Sequence, residues 1–191
     1  MTMKDYAKVN HVPIIKDGGL DLLLKTIKDE NATRILELGT AIAYSAIQMA
    51  KLGPSMQIDT IERNEEMYQK AQENVKEAQL ESQINLIFGD IKEYQTDKEY
   101  DLIFVDAAKG QYYNYIDQFY DNLKTGGCFV CDNMIFHDMI YNIEAIKGRN
   151  TRQLVKKIVH FRENVQDDKR FAIIKYDDIG DGIWILFKKE N

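Results

Sequence analysis

Short apolar runs alternate with amphipathic stretches along nearly the whole chain. Residues 34–39, 57–62, 84–90, 100–106 and 128–132 are apolar runs of strand length, and most end in glycine or in an oxygen-bearing side chain. Runs this short, bounded by turn residues, read as buried strands. Between them lie segments of helical period. Residues 43–52 stop before Gly53-Pro54, and Asn64 can cap a helix running to about residue 79 with Met67, Ala71, Val75 and Ala78 on one face. Residues 111–123 read as a helix ended by Thr125-Gly126-Gly127, and another helix runs over about 151–164. Two last strands, 171–176 and 182–187, flank Asp177-Asp-Ile-Gly-Asp181, a turn suited to a hairpin. Near the start, Asp17-Gly18-Gly19 leads into an entry helix over 20–28.

This alternation, closed by a hairpin, predicts an α/β fold: a doubly wound, mostly parallel seven-stranded sheet with a C-terminal antiparallel hairpin and right-handed crossovers. A chain of 191 residues is expected to form one domain, with residues 1–30 as a cover and 31–191 as the core.

Composition narrows the partners. No apolar run approaches the roughly 20 residues of a membrane helix. The first residues, Met-Thr-Met-Lys-Asp-Tyr, hold no secretory apolar region, so a cytoplasmic protein without a membrane partner is expected. The net charge of −6 argues against a general nucleic-acid binder. Between Lys147 and Arg170, however, eight cations face three acids, a local excess that suits phosphates or forms a solvated helix face. Cys128 and Cys131 have redox or zinc spacing, but inside a strand they point to opposite faces. They read as two buried thiols.

The chemistry gathers at strand ends. In a parallel sheet, ligands bind at the carboxyl edge of the strands. Asp106, Asp132 and Asn133 end neighbouring runs there. Two carboxylates and an amide are hard oxygen donors that suit Mg²⁺ or another divalent cation. Lys109 lies close by in sequence, either as a catalytic base or as an ion-pair partner of Asp106. The first strand leads into Gly39-Thr-Ala-Ile-Ala43-Tyr44-Ser45, small residues that let a ligand approach backbone amides. As a dinucleotide fingerprint this is weak, with one glycine of three. Glu62 stands where an acid takes ribose hydroxyls, and Gly89-Asp90 ends the third strand, where a carboxylate can accept from an adenine amino group. The succession points to an adenosyl ligand.

Together Ile35-Leu-Glu-Leu-Gly39, Ala43-Tyr-Ser-Ala46, Ile61-Glu62, Gly89-Asp90, Asp101-Leu-Ile-Phe-Val-Asp106, Gly126-Gly127 and Asp132-Asn133 resemble the class I S-adenosylmethionine-dependent methyltransferases, with a Rossmann-like fold. More narrowly they resemble the metal-dependent O-methyltransferases related to catechol O-methyltransferase. Asp106-Ala-Ala-Lys109-Gly-Gln-Tyr112, His11-Val-Pro-Ile-Ile15, Arg149-Asn-Thr-Arg152 and Gly180-Asp-Gly-Ile183 resemble the bacterial tRNA 5-hydroxyuridine methyltransferases within that group.

The resemblance implies that Val12, Gly39, Ser45, Glu62, Gly89, Asp90 and Asp106 contact S-adenosylmethionine. It implies that Asp106, Asp132 and Asn133 hold Mg²⁺, and that Lys109 and Asp106 are catalytic. The acceptor would be 5-hydroxyuridine of a tRNA anticodon loop, with phosphates on Arg149, Arg152, Lys156 and Lys157. Tyr112, Tyr113, Tyr115 and Phe136 are stacking candidates, with a core role as the alternative, and His137 is a candidate substrate contact. A homodimer is expected. Two departures stand out. Ala43 replaces a usual glycine, which would set the loop farther from the cofactor, and the leader is shorter than usual by about one helix. The competing readings are a small-molecule catechol or caffeoyl-type O-methyltransferase, a non-catalytic nucleotide-binding protein, and an NAD-dependent dehydrogenase. The missing glycines disfavour the last.

Overall fold

A computed structural model describes residues 1–190. Seven strands form one mixed sheet: β1 (Arg34–Leu38), β2 (Gln57–Glu62), β3 (Ile84–Phe88), β4 (Tyr100–Val105), β5 (Leu123–Cys131), β6 (Phe171–Tyr176) and β7 (Ile183–Lys188). Their spatial order is β3-β2-β1-β4-β5-β7-β6. The first five are parallel, and β7 runs antiparallel to both β5 and β6. The doubly wound sheet and closing hairpin match the expectation. The order reverses between β1 and β4, so the crevice of an open α/β sheet lies at their carboxyl ends.

Six helices accompany the sheet: α1 (Met3–Val9), α2 (Asp17–Asp29), α3 (Tyr44–Ala50), α4 (Glu65–Glu77), α5 (Tyr112–Phe119) and α6 (Arg149–Gln166). Strand side chains alternate between two apolar clusters. Ile35 and Cys128 join α2, α3 and α4 on one face, while Leu36 and Cys131 join α5 and α6 on the other. The two thiols are therefore buried on opposite faces, as strand geometry requires. Asn64 caps α4 through its side chain, 3.0 Å from the Met67 amide. In α6, Val155, Ile158, Phe161 and Val165 repeat every three or four residues and are buried.

Three local expectations need correction. Gly126-Gly127 lies inside β5 and does not end a helix. A Cβ on Gly127 would meet the Asp101 carbonyl oxygen at 2.6 Å, so the strand pairs closely only without a side chain there. The segment before it is a 3₁₀ turn, Lys109–Gln111, followed by the shorter α5. At the start, α1 is held by a reciprocal cap, in which Thr2 Oγ1 accepts from the Asp5 amide and Asp5 accepts from the Thr2 amide, both at 3.1 Å. The cap uses aspartate where sequence patterns look for glutamate or glutamine. Among the described residues, no helix is long and apolar enough to cross a membrane.

Candidate active site

The carboxyl ends of β1, β2, β4 and β5, with the segment before α2, enclose a cavity of about 750 Å³. Every cofactor, metal and catalytic residue expected above lines it: Val12, Gly39, Ser45, Glu62, Gly89, Asp90, Asp106, Lys109, Asp132 and Asn133.

Gly39 takes φ +104°, and a Cβ there would lie 2.3 Å from the Asp106 carbonyl oxygen. The ends of β1 and β4 are thus drawn together, with the Asp106 amide donating to Leu38 at 3.1 Å. Ala41 and Ala43 also take positive φ, 47° and 62°. Ala43 is fully buried and packs into the core. Its methyl does not line the cavity, which overturns the expectation that this alanine holds a ligand away. The substitution acts on backbone conformation instead, costing about 1–2 kcal/mol.

Beneath this loop sits Glu37, fully buried in β1. Ser45 and Thr60 both donate to its carboxylate, and Thr40 and Thr60 share a hydrogen bond of 2.6 Å. Burial outweighs these donors and raises its pKa to about 8. The Ser45 hydroxyl proton is therefore committed inward. Glu62 is held by two backbone amides, Ala41 at 2.8 Å and Asn64 at 2.7 Å. Those bonds fix the carboxylate at the cavity wall. Asp90 accepts from the Lys92 amide at 3.0 Å, with Arg63 at 3.5 Å. The Lys92 contact leads in holding its pKa below the ordinary range.

At the opposite end Asp106, Lys109, Asp132 and Asn133 converge. Lys109 Nζ lies 3.6 Å from Asp106, and each side chain is only 20% exposed. Their ion pair thus lies inside the cavity wall, not on an open surface. Burial raises the Asp106 pKa despite Lys109. Burial and then the Asp106 charge raise Asp132 to about 8. Two buried carboxylates that disfavour each other's charge, beside an amide, form a donor set that fits a hard divalent cation. Asn133 Nδ2 donates to Asp181 at 3.1 Å, and among the described residues its Oδ1 has no protein donor. Asp181, unassigned by sequence reading, is 1% exposed and also accepts from Lys16 and the His137 amide.

The expected phosphate contacts do not form one group. Lys156 and Lys157 line a second cavity of about 1000 Å³ with Lys109, Tyr113, His160, Lys169 and Arg170, whereas Arg149 and Arg152 do not. Arg152 donates to the Ile146 carbonyl through Nε at 3.0 Å and also through Nη2, bracing the loop before α6. Arg162 pairs with Asp177, and Arg170 with Asp168 and Asp117. Three of the eight cations from Lys147 to Arg170 therefore have internal partners. Tyr112 and Tyr115 are buried core residues, and the Tyr112 hydroxyl donates to the Asp132 carbonyl at 3.0 Å. Phe136 and His137 line the first cavity.

A glycine-cornered crevice with an acid at each strand end and a cation-fitting cluster beside it defines a nucleotide-binding α/β enzyme. The model of a family described as O-methyltransferase matches residues 1–189, and the chain belongs to that family. A Staphylococcus aureus protein, assigned provisionally as a caffeoyl-CoA O-methyltransferase, is 36% identical with TM-score 0.94, over 97% of this chain and 90% of its own. The flavonoid 3′,5′-methyltransferase of Vitis vinifera is 27% identical over 188 residues, 93% of this chain and 78% of its length. A Bacillus cereus O-methyltransferase, solved with S-adenosylhomocysteine (SAH), shares the fold at 20% identity with TM-score 0.81, over 97% of this chain and 88% of its own.

Proposed function

We propose that this O-methyltransferase moves the methyl group of S-adenosylmethionine to one of two adjacent oxygens on an aromatic acceptor, aided by a divalent cation. The observation that carries the reading is the polarity of one cavity. Glu62 and Asp90 supply acceptors for an adenosyl group at one end, and Asp106, Lys109, Asp132 and Asn133 converge at the other.

The chain's own groups divide the work. Glu62, fixed by two amides, accepts from ribose hydroxyls. Gly39 lets the ligand reach the backbone without a side chain between them. Asp106, Asp132 and Asn133 Oδ1 provide the oxygen donors for Mg²⁺ or a similar ion. Such a cation supplies Lewis acidity that makes a neighbouring hydroxyl more acidic. Lys109 takes the hydroxyl proton. Val12 and Phe136 wall the cavity with apolar surface and limit water at the reacting oxygen. Holding donor and acceptor in line supplies much of the rate.

A small ortho-dihydroxy phenol is the acceptor best supported, because the relatives carry names of that kind. A second reading, 5-hydroxyuridine in a tRNA anticodon loop, draws on one observation. Lys109 lines both cavities, so the second opens beside the proposed reaction site, and Lys156, Lys157 and Lys169 make no ion pair there among the described residues.

The test is methyl transfer from labelled S-adenosylmethionine to catechol-type phenols and to tRNA bearing 5-hydroxyuridine, with Mg²⁺ and with chelator. Phenol methylation that needs the cation and disappears in Asp132→Ala supports the main reading. Labelled tRNA with unlabelled phenols moves the assignment to RNA. Equal turnover with chelator removes the cation.

A further inference from the structure

We propose that Asp181 is a positioning residue, which turns the Asn133 amide so that its carbonyl oxygen faces the cavity as the third oxygen of the cation site. The inference rests on the cation reading above. An amide has a donor end and an acceptor end, and a carboxylate only accepts. Asp181 Oδ2 lies 3.1 Å from Asn133 Nδ2, so the NH₂ end is drawn toward Asp181 and Oδ1 is turned away. Asn133 lines the cavity, and among the described residues its Oδ1 receives no hydrogen bond from the chain.

The hairpin turn between β6 and β7 is built to hold this carboxylate in place. Gly180 and Gly182 both take positive φ. A Cβ on Gly182 would meet the Ile135 amide nitrogen at 2.8 Å, and one on Gly180 would meet Gly19 at 3.1 Å. The turn thus reaches the exit of β5 and the start of α2 at once. The Met134 amide donates to Gly182 at 2.9 Å, and the Ile135 amide to the Asp181 carbonyl at 3.0 Å. The Asp181 side chain then ties three segments together. Lys16 Nζ lies at 3.1 Å, the His137 amide at 2.7 Å, and Asn133 as above, with His137 Nδ1 farther at 3.5 Å. Asn133, Phe136, His137 and Asp138 all hold left-handed backbone angles, which need such outside support.

The experiment measures Mn²⁺ binding by the loss of the free-ion electron paramagnetic resonance signal, with saturating SAH and no turnover. Asp181→Asn lets its own NH₂ face Asn133, so the amide is no longer forced outward, and Mn²⁺ affinity falls about 10- to 100-fold. In an Asn133→Ala background, Asp181→Asn causes little further loss if it acts through Asn133. The exchange variant Asn133→Asp/Asp181→Asn restores a donor–acceptor pair with a free carboxylate oxygen toward the cavity, and recovers Mn²⁺ affinity to within about tenfold of wild type. Asp181→Asn that binds SAH and holds Mn²⁺ as tightly as wild type overturns the proposal. So does a folded exchange variant that binds Mn²⁺ no better than Asp181→Asn. If Asp181→Asn loses SAH binding through misfolding, the exchange variant decides alone. Wild-type protein that binds no Mn²⁺ overturns the cation reading itself, and the positioning role with it.

Discussion

Replacing Gly39 by alanine tests the geometry on which the site depends. The added Cβ would lie 2.3 Å from the Asp106 carbonyl oxygen, 3.0 Å from its carbonyl carbon and 3.2 Å from Ala107 Cα. All three are backbone atoms, so no side chain can swing away. Ordinary contact begins near 3.4 Å, and the ends of β1 and β4 must separate by about 1.1 Å. That movement breaks the Asp106 amide bond to Leu38, now 3.1 Å. A buried bond lost costs about 1–2 kcal/mol, and alanine at φ +104° a further 1–3 kcal/mol. Gly39→Ala should therefore lower stability by about 2–5 kcal/mol, which for a chain of this size is on the order of 10 °C in Tm. Because Asp106 follows the displaced strand end, SAH and Mn²⁺ should both bind at least about tenfold more weakly. A displacement near 1 Å carries functional costs of that order or larger. Urea unfolding and calorimetric titration with SAH check this. A urea midpoint equal to wild type, with SAH affinity within about threefold, would refute the reasoning.

Three other perturbations probe separate features. Glu37, raised to about 8, keeps a proton in the fold that the unfolded chain releases near 4.5, so its contribution to stability declines as pH rises from about 4.5 to 8. Glu37→Gln keeps the partners of Ser45 and Thr60 without the titration. Its Tm relative to wild type should climb between pH 5 and pH 9, and a constant difference in paired thermal melts would contradict that. Lys156→Ala with Lys157→Ala should leave SAH affinity unchanged and, on the RNA reading, reduce the slope of log affinity for tRNA against log salt by about 1.4. Arg152→Ala, whose guanidinium braces Ile146, should leave that slope alone, and a large slope change in Arg152→Ala would return it to the phosphate surface. Arg162 is 16% exposed, forms a forked pair with Asp177 at 2.7 and 2.9 Å, and stacks 4.4 Å from the Trp184 ring centroid. Arg162→Ala should cost about 2–4 kcal/mol, discounted from a fully buried pair because Asp177 is one-third exposed, and chemical denaturation reads it directly.

What could be read from the chain in advance was what adjacent residues determine. The end of β2 at Glu62 and both ends of β6 fall where alternation and turn residues place them, because strand period and glycine are local properties. The converging groups were legible for a topological reason: parallel strands must end on one edge, so Asp106 and Asp132 meet although 26 positions apart. What stayed hidden was partnership. Arg149, Arg152, Lys156 and Lys157 look alike as a basic run. Only the fold shows that Ile146 claims Arg152, while Lys157 lies over Gly110, where an added Cβ would come within 2.9 Å of its stem. Glu37 was visible within the glycine-loop motif, yet the hydroxyl of Thr60, on the next strand, could not be paired with it from one sequence.

The same distinction explains why Asp181 was passed over. In the chain it is one of several acids in a turn, a place where acids are common for local hydrogen bonding. Its value comes from Asn133, 48 positions earlier, and from Lys16, 165 positions earlier. Residues that bear the chemistry announce themselves by type at a strand end. The residue that orients them is set by a contact that exists only after β7 has paired with β5. The hairpin that closes the sheet therefore also completes the site. A variant that weakens pairing of β7 should lose cation affinity before it loses the β1–β4 crevice, and native-state hydrogen exchange followed with and without Mn²⁺ would show whether protection at Asp181 and His137 falls first.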